Sequence, residues 1–104
     1  MLALKPGLVL TLKPGIVLHS LPDQDWFFAF NVVTGDQFRL NRTSFWVLEA
    51  ISDGSEWVRL RDSFLETFDV SEKQGEADLL KLVNELYNQK IIGRQGHGKE
   101  ANKL

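Results

Sequence analysis

Residues 26–40 read WFFAFNVVTGDQFRL, and this stretch decides the fold class of the chain. The segment 26–33 is dense in aromatic and β-branched side chains, which predicts a strand. Residues 34–36, Thr-Gly-Asp, are typical of a tight turn. Residues 37–40 then alternate polar and apolar side chains, the period of a half-buried strand. The stretch therefore predicts an antiparallel hairpin.

Upstream of this hairpin the chain contains a near-duplicate, LKPGLVL at residues 4–10 and LKPGIVL at residues 12–18. Proline fixes φ and glycine tolerates positive φ, so each Pro-Gly pair favours a turn next to a short extended segment. Two copies are too few for a repeat architecture, which needs about three units to bury a core. We expect the first 40 residues to form an antiparallel sheet of three or four strands.

The hydrophobic period changes at Asn41, a residue type that caps helix N-termini. Three helices are predicted after it: about residues 42–53, about residues 56–68, and a longer one from Ser71, which has capping-box spacing with Gln74. A sheet followed by three helices indicates a small α+β domain, with its helices on one face of the sheet in a winged helix-turn-helix-like arrangement.

The composition is that of one domain, since 104 residues with 43% hydrophobic side chains are enough for a single core. We expect residues 1–93 to form that domain. Residues 94–104 show no hydrophobic period and are predicted to be a disordered tail. Lys5 and Pro6 interrupt the N-terminal apolar residues, which argues against a signal peptide or a membrane span.

The residues that carry chemistry do not converge in the sequence. Cysteine is absent, which excludes disulfides, thiolate metal sites and a cysteine nucleophile, and fits a reducing cytoplasm. His19 and His97 are too far apart in sequence to suggest a metal pair. Residues 23–25 resemble the start of a calcium loop, but the glycine and glutamate that such a loop needs are missing. We therefore predict a protein that is not an enzyme and needs no cofactor or metal.

The winged-helix-like layout makes a DNA-binding regulator the natural alternative. Residues 41–89 carry five basic side chains against ten acidic ones. Because phosphate neutralisation supplies much of the affinity for nucleic acid, this balance argues against nucleic acid as a partner. A third interpretation is a domain that tethers an enzyme without binding any peptide.

Binding of an extended peptide is the remaining function class. A short strand at a sheet edge, such as residues 37–40, presents backbone groups that an added strand can complete. The wide apolar face of the third helix would form the wall of an adjacent groove. The alternative interpretation is that its leucine and valine residues (79, 82, 83 and 86) are simply core residues. An exposed edge also allows a homodimer.

The segment 33–48, VTGDQFRLNRTSFWVL, resembles the PqqD-like family in its glycine turn, its short strand ending in Leu-Asn and the aromatic residues that open the first helix. The resemblance extends over about residues 4–93. It includes an upstream KPGIVL strand, the Asp-Gly helix stop at 53–54, Phe-Asp-Val at 68–70 and a closing LYNQKII.

This resemblance implies a protein that binds the leader of a ribosomally made precursor peptide and presents it to a modifying enzyme. That enzyme would be a radical S-adenosylmethionine enzyme, as in pyrroloquinoline quinone assembly, or a leader peptidase. In the family the leader adds as a strand beside the third family strand and packs against the third helix. We hypothesise that Arg39 and Lys81 contact acidic leader residues. The expected peptide-binding residues are Gln37, Phe38, Arg39, Leu40, Leu79, Lys81, Val83, Leu86 and Tyr87.

Overall fold

The fold was obtained as a computed structural model, which describes residues 4–52 and 54–95, with Pro22 described for its backbone alone. Its first four strands and its three helices follow the predicted order, and two further short strands, one between the first two helices and one after the third, were not predicted. The elements are β1 (Val9–Leu12), β2 (Ile16–Leu21), a short 3-10 helix (Pro22–Gln24), β3 (Trp26–Asn31), β4 (Gln37–Leu40), α1 (Arg42–Ile51), β5 (Ser55–Glu56), α2 (Trp57–Phe68), α3 (Glu72–Asn88) and β6 (Ile92–Arg94).

The strands form two antiparallel sheets of three strands each. The first sheet has the order β2-β3-β4, with Phe28 of β3 opposite His19 on one side and Arg39 on the other. The second sheet has the order β5-β1-β6, so β1 lies between two strands that come from the helical half of the chain. The fold is therefore α+β as predicted.

The position of β1 is a finding that the sequence did not indicate. The turn after β1 contains Gly15, whose φ is +88° and whose missing Cβ would lie 3.2 Å from Asn31 Oδ1. This turn sends β1 away from the first sheet, and Thr11 of β1 pairs with Gly93 instead. The last strand ends at Arg94, the first residue of the predicted tail, and residues 96–104 of that tail lie outside the described residues.

The two predicted helix caps are confirmed. The Asn41 side chain accepts from the Ser44 N–H at 2.7 Å, and the Ser71 hydroxyl accepts from the Gln74 N–H at 3.2 Å. The second helix differs slightly, because Ser55 belongs to β5 and the cap position falls to Glu56, which makes no side-chain capping bond. Both caps fix where a helix starts relative to the sheet.

A single core lies between the first sheet and the helices. Phe27, Ala29 and Leu40 point from the sheet into this core, and their burial follows the strand alternation. α1 buries one side, while its Trp46 is half-buried and its Ala50 is exposed. The buried apolar side chains of the helices, of the last strand and of the residue before that strand are Phe45, Val47, Leu48, Ile51, Trp57, Leu60, Phe64, Leu79, Val83, Leu86, Ile91 and Ile92.

Gly75 lies where α3 approaches the end of α2 most closely. A Cβ added at Gly75 would overlap Leu65 Cδ2 and lie 2.5 Å from Val70 Cγ2. Glycine lowers intrinsic helix propensity, so its place in the first turn of α3 is explained by packing. Only a residue without a side chain leaves room for this contact.

Replacing Gly75 with alanine is expected to lower the free energy of unfolding by about 1 kcal/mol, because overpacking outweighs the gain in helix propensity. Urea denaturation measures this change. Much of the loss is expected to disappear in a Val70→Ala background, where the stiff Cγ2 is absent, so a double-mutant cycle isolates the contact. A more stable Gly75→Ala protein would contradict the close packing.

Candidate peptide-binding edge and cleft

The outer edge of β4 is a free edge of the first sheet, since β3 is its one partner among the described strands. The Asn31 N–H donates to the Asp36 carbonyl at 2.9 Å, which makes this pair hydrogen-bonded. Hydrogen-bonded and non-hydrogen-bonded pairs alternate along an antiparallel ladder. The N–H and C=O groups of Gln37 and Arg39 therefore point outward, while the other two residues of β4 bond to β3. This edge can accept a further strand.

The side chains of β4 divide between the two faces of the sheet. Phe38 and Leu40 lie on the face that packs against the helices, half-buried and buried respectively. Gln37 and Arg39 are exposed on the opposite face. The Arg39 guanidinium carbon lies 3.9 Å from the centre of the Trp26 ring, a cation–π contact that holds the side chain against the sheet.

A cleft of about 330 Å³ begins where β4 ends and lies between the start of α1 and the middle of α3. Lys81 stands in it with a carboxylate on either side along the helix, at Asp78 and Glu85. Leu82, half-buried, adds an apolar wall. The cleft is lined by Asn41, Thr43, Ser44, Asp78, Lys81, Leu82 and Glu85.

A second cavity, of about 450 Å³, lies on the other side of Asn41. The Arg42 guanidinium closes part of it by an ion pair with Asp25 at 2.7 Å. Both side chains are mostly exposed, so this pair contributes little to stability. The cavity is lined by Asp25, Phe27, Arg39, Leu40, Asn41 and Arg42. The C-terminal end of β4 thus has a cavity on each side, and Asn41 lines both.

The structure separates the predicted site residues by exposure. Gln37, Arg39 and Lys81 are exposed, and Phe38 and Tyr87 are half-buried. The remaining four have at most 8% of their surface exposed, and they are Leu40, Leu79, Val83 and Leu86. Leu79, Val83 and Leu86 thus lie in the core, as the other interpretation of their spacing predicted, and Leu40 is buried as well. None of the four lines the cleft.

Lys81 is the one lining residue of the cleft that was among the predicted site residues. The other six were not predicted, and they are Asn41, Thr43, Ser44, Asp78, Leu82 and Glu85. Leu82 was visible in the sequence as part of the apolar face of α3, at the border of the stripe that Leu79 and Leu86 define. When the apolar face of a helix is too wide for one neighbouring element to bury, residues at its border are expected to be partly exposed. Thr43 and Glu85 carry no comparable signal.

Neither a metal cluster nor a membrane-spanning helix is found among the described residues. Within residues 4–52 and 54–95, no three histidine or carboxylate side chains converge as a metal site would require. In the same ranges no helix is both long and apolar enough to cross a membrane. His97 lies outside the described residues.

Comparisons with known proteins agree with this geometry. The family model for coenzyme PQQ synthesis protein D (PqqD) matches residues 27–92, more than half of the chain. The solved structure of TbiB1 in complex with the TbiA(beta) leader peptide superposes with a TM-score of 0.67 at 17% sequence identity, covering 84% of this chain and 96% of TbiB1. No curated protein sequence matches at a significant level.

Proposed function

Because this chain belongs to the PqqD family, we propose that it is a non-catalytic peptide-binding protein that captures the leader of a ribosomally made precursor peptide and presents it to a modifying enzyme. One observation carries the proposal: β4 presents outward backbone groups at a free sheet edge directly beside a cleft on α3. TbiB1, which has the same fold, was solved with a leader peptide bound. An extended peptide of that class fits an edge of this kind.

Strand addition explains how the edge and the cleft act together. The backbone of the added strand pairs with the outward groups of Gln37 and Arg39, which gives affinity without regard to sequence. Side chains of the added strand alternate between the two faces of the sheet. Every second side chain therefore points toward α3 and its cleft, and these positions provide the selectivity.

The side chains that we assign to the site follow from their exposure. Arg39 and Lys81 are the cations that meet acidic leader residues. Phe38 and Tyr87 border the groove. The buried residues of the predicted site support it from below, and they are Leu40, Leu79, Val83 and Leu86.

The enzyme that receives the peptide is a radical S-adenosylmethionine enzyme or a leader peptidase, as in other pathways served by the family, and we place the pair in the cytoplasm. A second copy of this chain is a competing occupant of the β4 edge, because two such edges can pair with each other. Nucleic acid is disfavoured by the five basic against ten acidic side chains of residues 41–89.

The test is a heteronuclear NMR titration of the labelled protein with the leader peptides encoded beside its gene. Shifts are expected for residues 37–40 and for the cleft side of α3. Lys81→Glu is expected to weaken binding of an acidic leader about fivefold, because it replaces attraction with repulsion. Lys73→Glu, also exposed and on α3 but outside the cleft, is the matched control.

Either of two outcomes would count against the proposal. No shifts with any neighbouring leader, together with stable association with the enzyme, would favour a tether that needs no peptide. Binding to DNA that falls steeply with added salt would favour the winged-helix regulator.

A further inference from the structure

The face of the first sheet that points away from the helices is unusually apolar. Antiparallel sheets with one face on a core carry mainly polar side chains on the other. Here that face, called the outer sheet face below, carries five large apolar residues. They are Val17, Leu21, Trp26, Phe28 and Phe30.

These side chains form a continuous surface. The Trp26 and Phe28 rings are 5.3 Å apart between centres, and the Phe28 and Phe30 rings are 5.8 Å apart. Val17 and Leu21 lie on the neighbouring strand and are 48% and 43% exposed. None of the five belongs to the core cluster or packs against it among the described residues. A contiguous apolar surface of this kind is typical of a protein interaction site.

The charges around this face indicate what covers it. β2, β3 and β4 contain no aspartate or glutamate, and their ionisable side chains are Arg39 and His19, which flank Phe28 in one row. Of the carboxylates at the strand ends, Asp25 is bonded to Arg42 and Asp36 to the Thr34 hydroxyl. The face is therefore apolar, and Arg39 is the one cation that the three strands place at its border.

This charge pattern disfavours a second copy of the chain. If two identical faces came into contact, the Arg39 of each copy would find no carboxylate on the strands of the other copy, because β2, β3 and β4 contain none. A complementary surface is apolar and carries carboxylates. The Arg39 guanidinium, held 3.9 Å above Trp26, has five N–H donors, so it can donate to such a carboxylate at the rim as well as to an acidic leader residue.

We propose that the outer sheet face is a second docking surface, which binds an apolar, carboxylate-bearing patch of the modifying enzyme while the leader occupies the β4 edge. The identity of this partner rests on the proposed function. The two surfaces adjoin at Arg39, whose backbone faces the edge and whose side chain lies on the outer sheet face. An enzyme on this face is thereby placed next to the bound peptide.

The test uses the double variant Val17→Lys/Leu21→Lys in the full chain. Both positions lie on β2, which β3 separates from the peptide edge. Val33→Lys, in the hairpin turn at 79% exposure, is the matched control. Affinity for the purified modifying enzyme encoded in the same gene neighbourhood is measured by calorimetry, and affinity for the fluorescent leader is measured by anisotropy. NMR spectra verify that each variant is folded.

The double variant is expected to bind the enzyme about tenfold more weakly and the leader about as well as the parent, because charged side chains replace apolar contacts on one surface alone. Unchanged enzyme affinity would overturn the proposal, as would a parent protein that forms no complex with the enzyme. Self-association of the parent that the double variant abolishes would assign the face to a second copy. If the parent binds the enzyme but no leader, and the double variant no longer binds the enzyme, the docking surface is upheld and the peptide-binding function is rejected.

Discussion

Replacing Arg39 with proline is expected to weaken leader binding about thirtyfold more than replacing it with alanine, a difference of about 2 kcal/mol. Both substitutions remove the guanidinium. Only proline removes the outward N–H, which leaves a carbonyl of the added strand without its donor. The ladder to β3 survives, because the Arg39 backbone does not bond to that strand. The ratio of the two affinities, measured by anisotropy, therefore reports on the backbone pairing itself.

Proline at this position is compatible with folding, since edge strands tolerate it where the N–H faces away from the sheet. Thermal unfolding of both variants provides the control for fold damage. The pair Gln37→Pro and Gln37→Ala repeats the comparison at the other outward residue, away from Trp26. Equal affinities of the proline and alanine variants at both positions would mean that the peptide does not add to β4.

Leu79→Ala is expected to lower the free energy of unfolding by about 2 to 5 kcal/mol, the usual cost of emptying a buried leucine site. Leu79 has no exposed surface and lies in the core between α3 and its neighbours. Leu82→Ala, three residues further on the same helix, is expected to cost about 1 kcal/mol, because this side chain is half-buried. Both substitutions end in alanine, so helix propensity changes equally. Urea denaturation measures the free energy of unfolding of each variant.

Binding is expected to show the opposite order. At temperatures where both variants are folded, Leu82→Ala is expected to weaken leader binding about fivefold through loss of an apolar wall of the cleft. Leu79→Ala is expected to change the affinity of the folded protein less, since Leu79 contributes no surface to the cleft. A Leu79→Ala protein that remains as stable as the parent would place that residue at the surface and restore it to the groove.

Local signals in the sequence predicted much of this fold. Asn41 and Ser71 start their helices with the expected capping bonds because a cap depends on residues three positions apart. The turn at 34–36 and the alternation at 37–40 predicted the β3–β4 hairpin for the same reason. The edge position of β4 was proposed from the sequence as a condition for peptide binding, and the sheet order meets it.

Other features depend on contacts between distant parts of the chain. The pairing of Thr11 with Gly93 joins the two ends of the domain, and no local pattern encodes it. The same limit applies to Gly75, whose role depends on the approach of Leu65 and Val70. The aromatic run of β3 predicted a strand, but which of its side chains face the core follows only from the side of the sheet on which the helices pack.

Local patterns in the sequence predicted the order of the first four strands and the three helices, the starts of α1 and α3, and the α+β class, because capping, turn chemistry and hydrophobic period act over a few residues. Which apolar residues of α3 are core and which line the cleft follows only from the tertiary structure. Helical periodicity identifies the apolar face of α3, but it does not tell how much of that face the neighbouring elements bury. The tertiary structure likewise decided that Phe28 and Phe30 remain outside the core while Phe27 enters it. Burial depends on how elements pack together, and packing is a property of the whole chain.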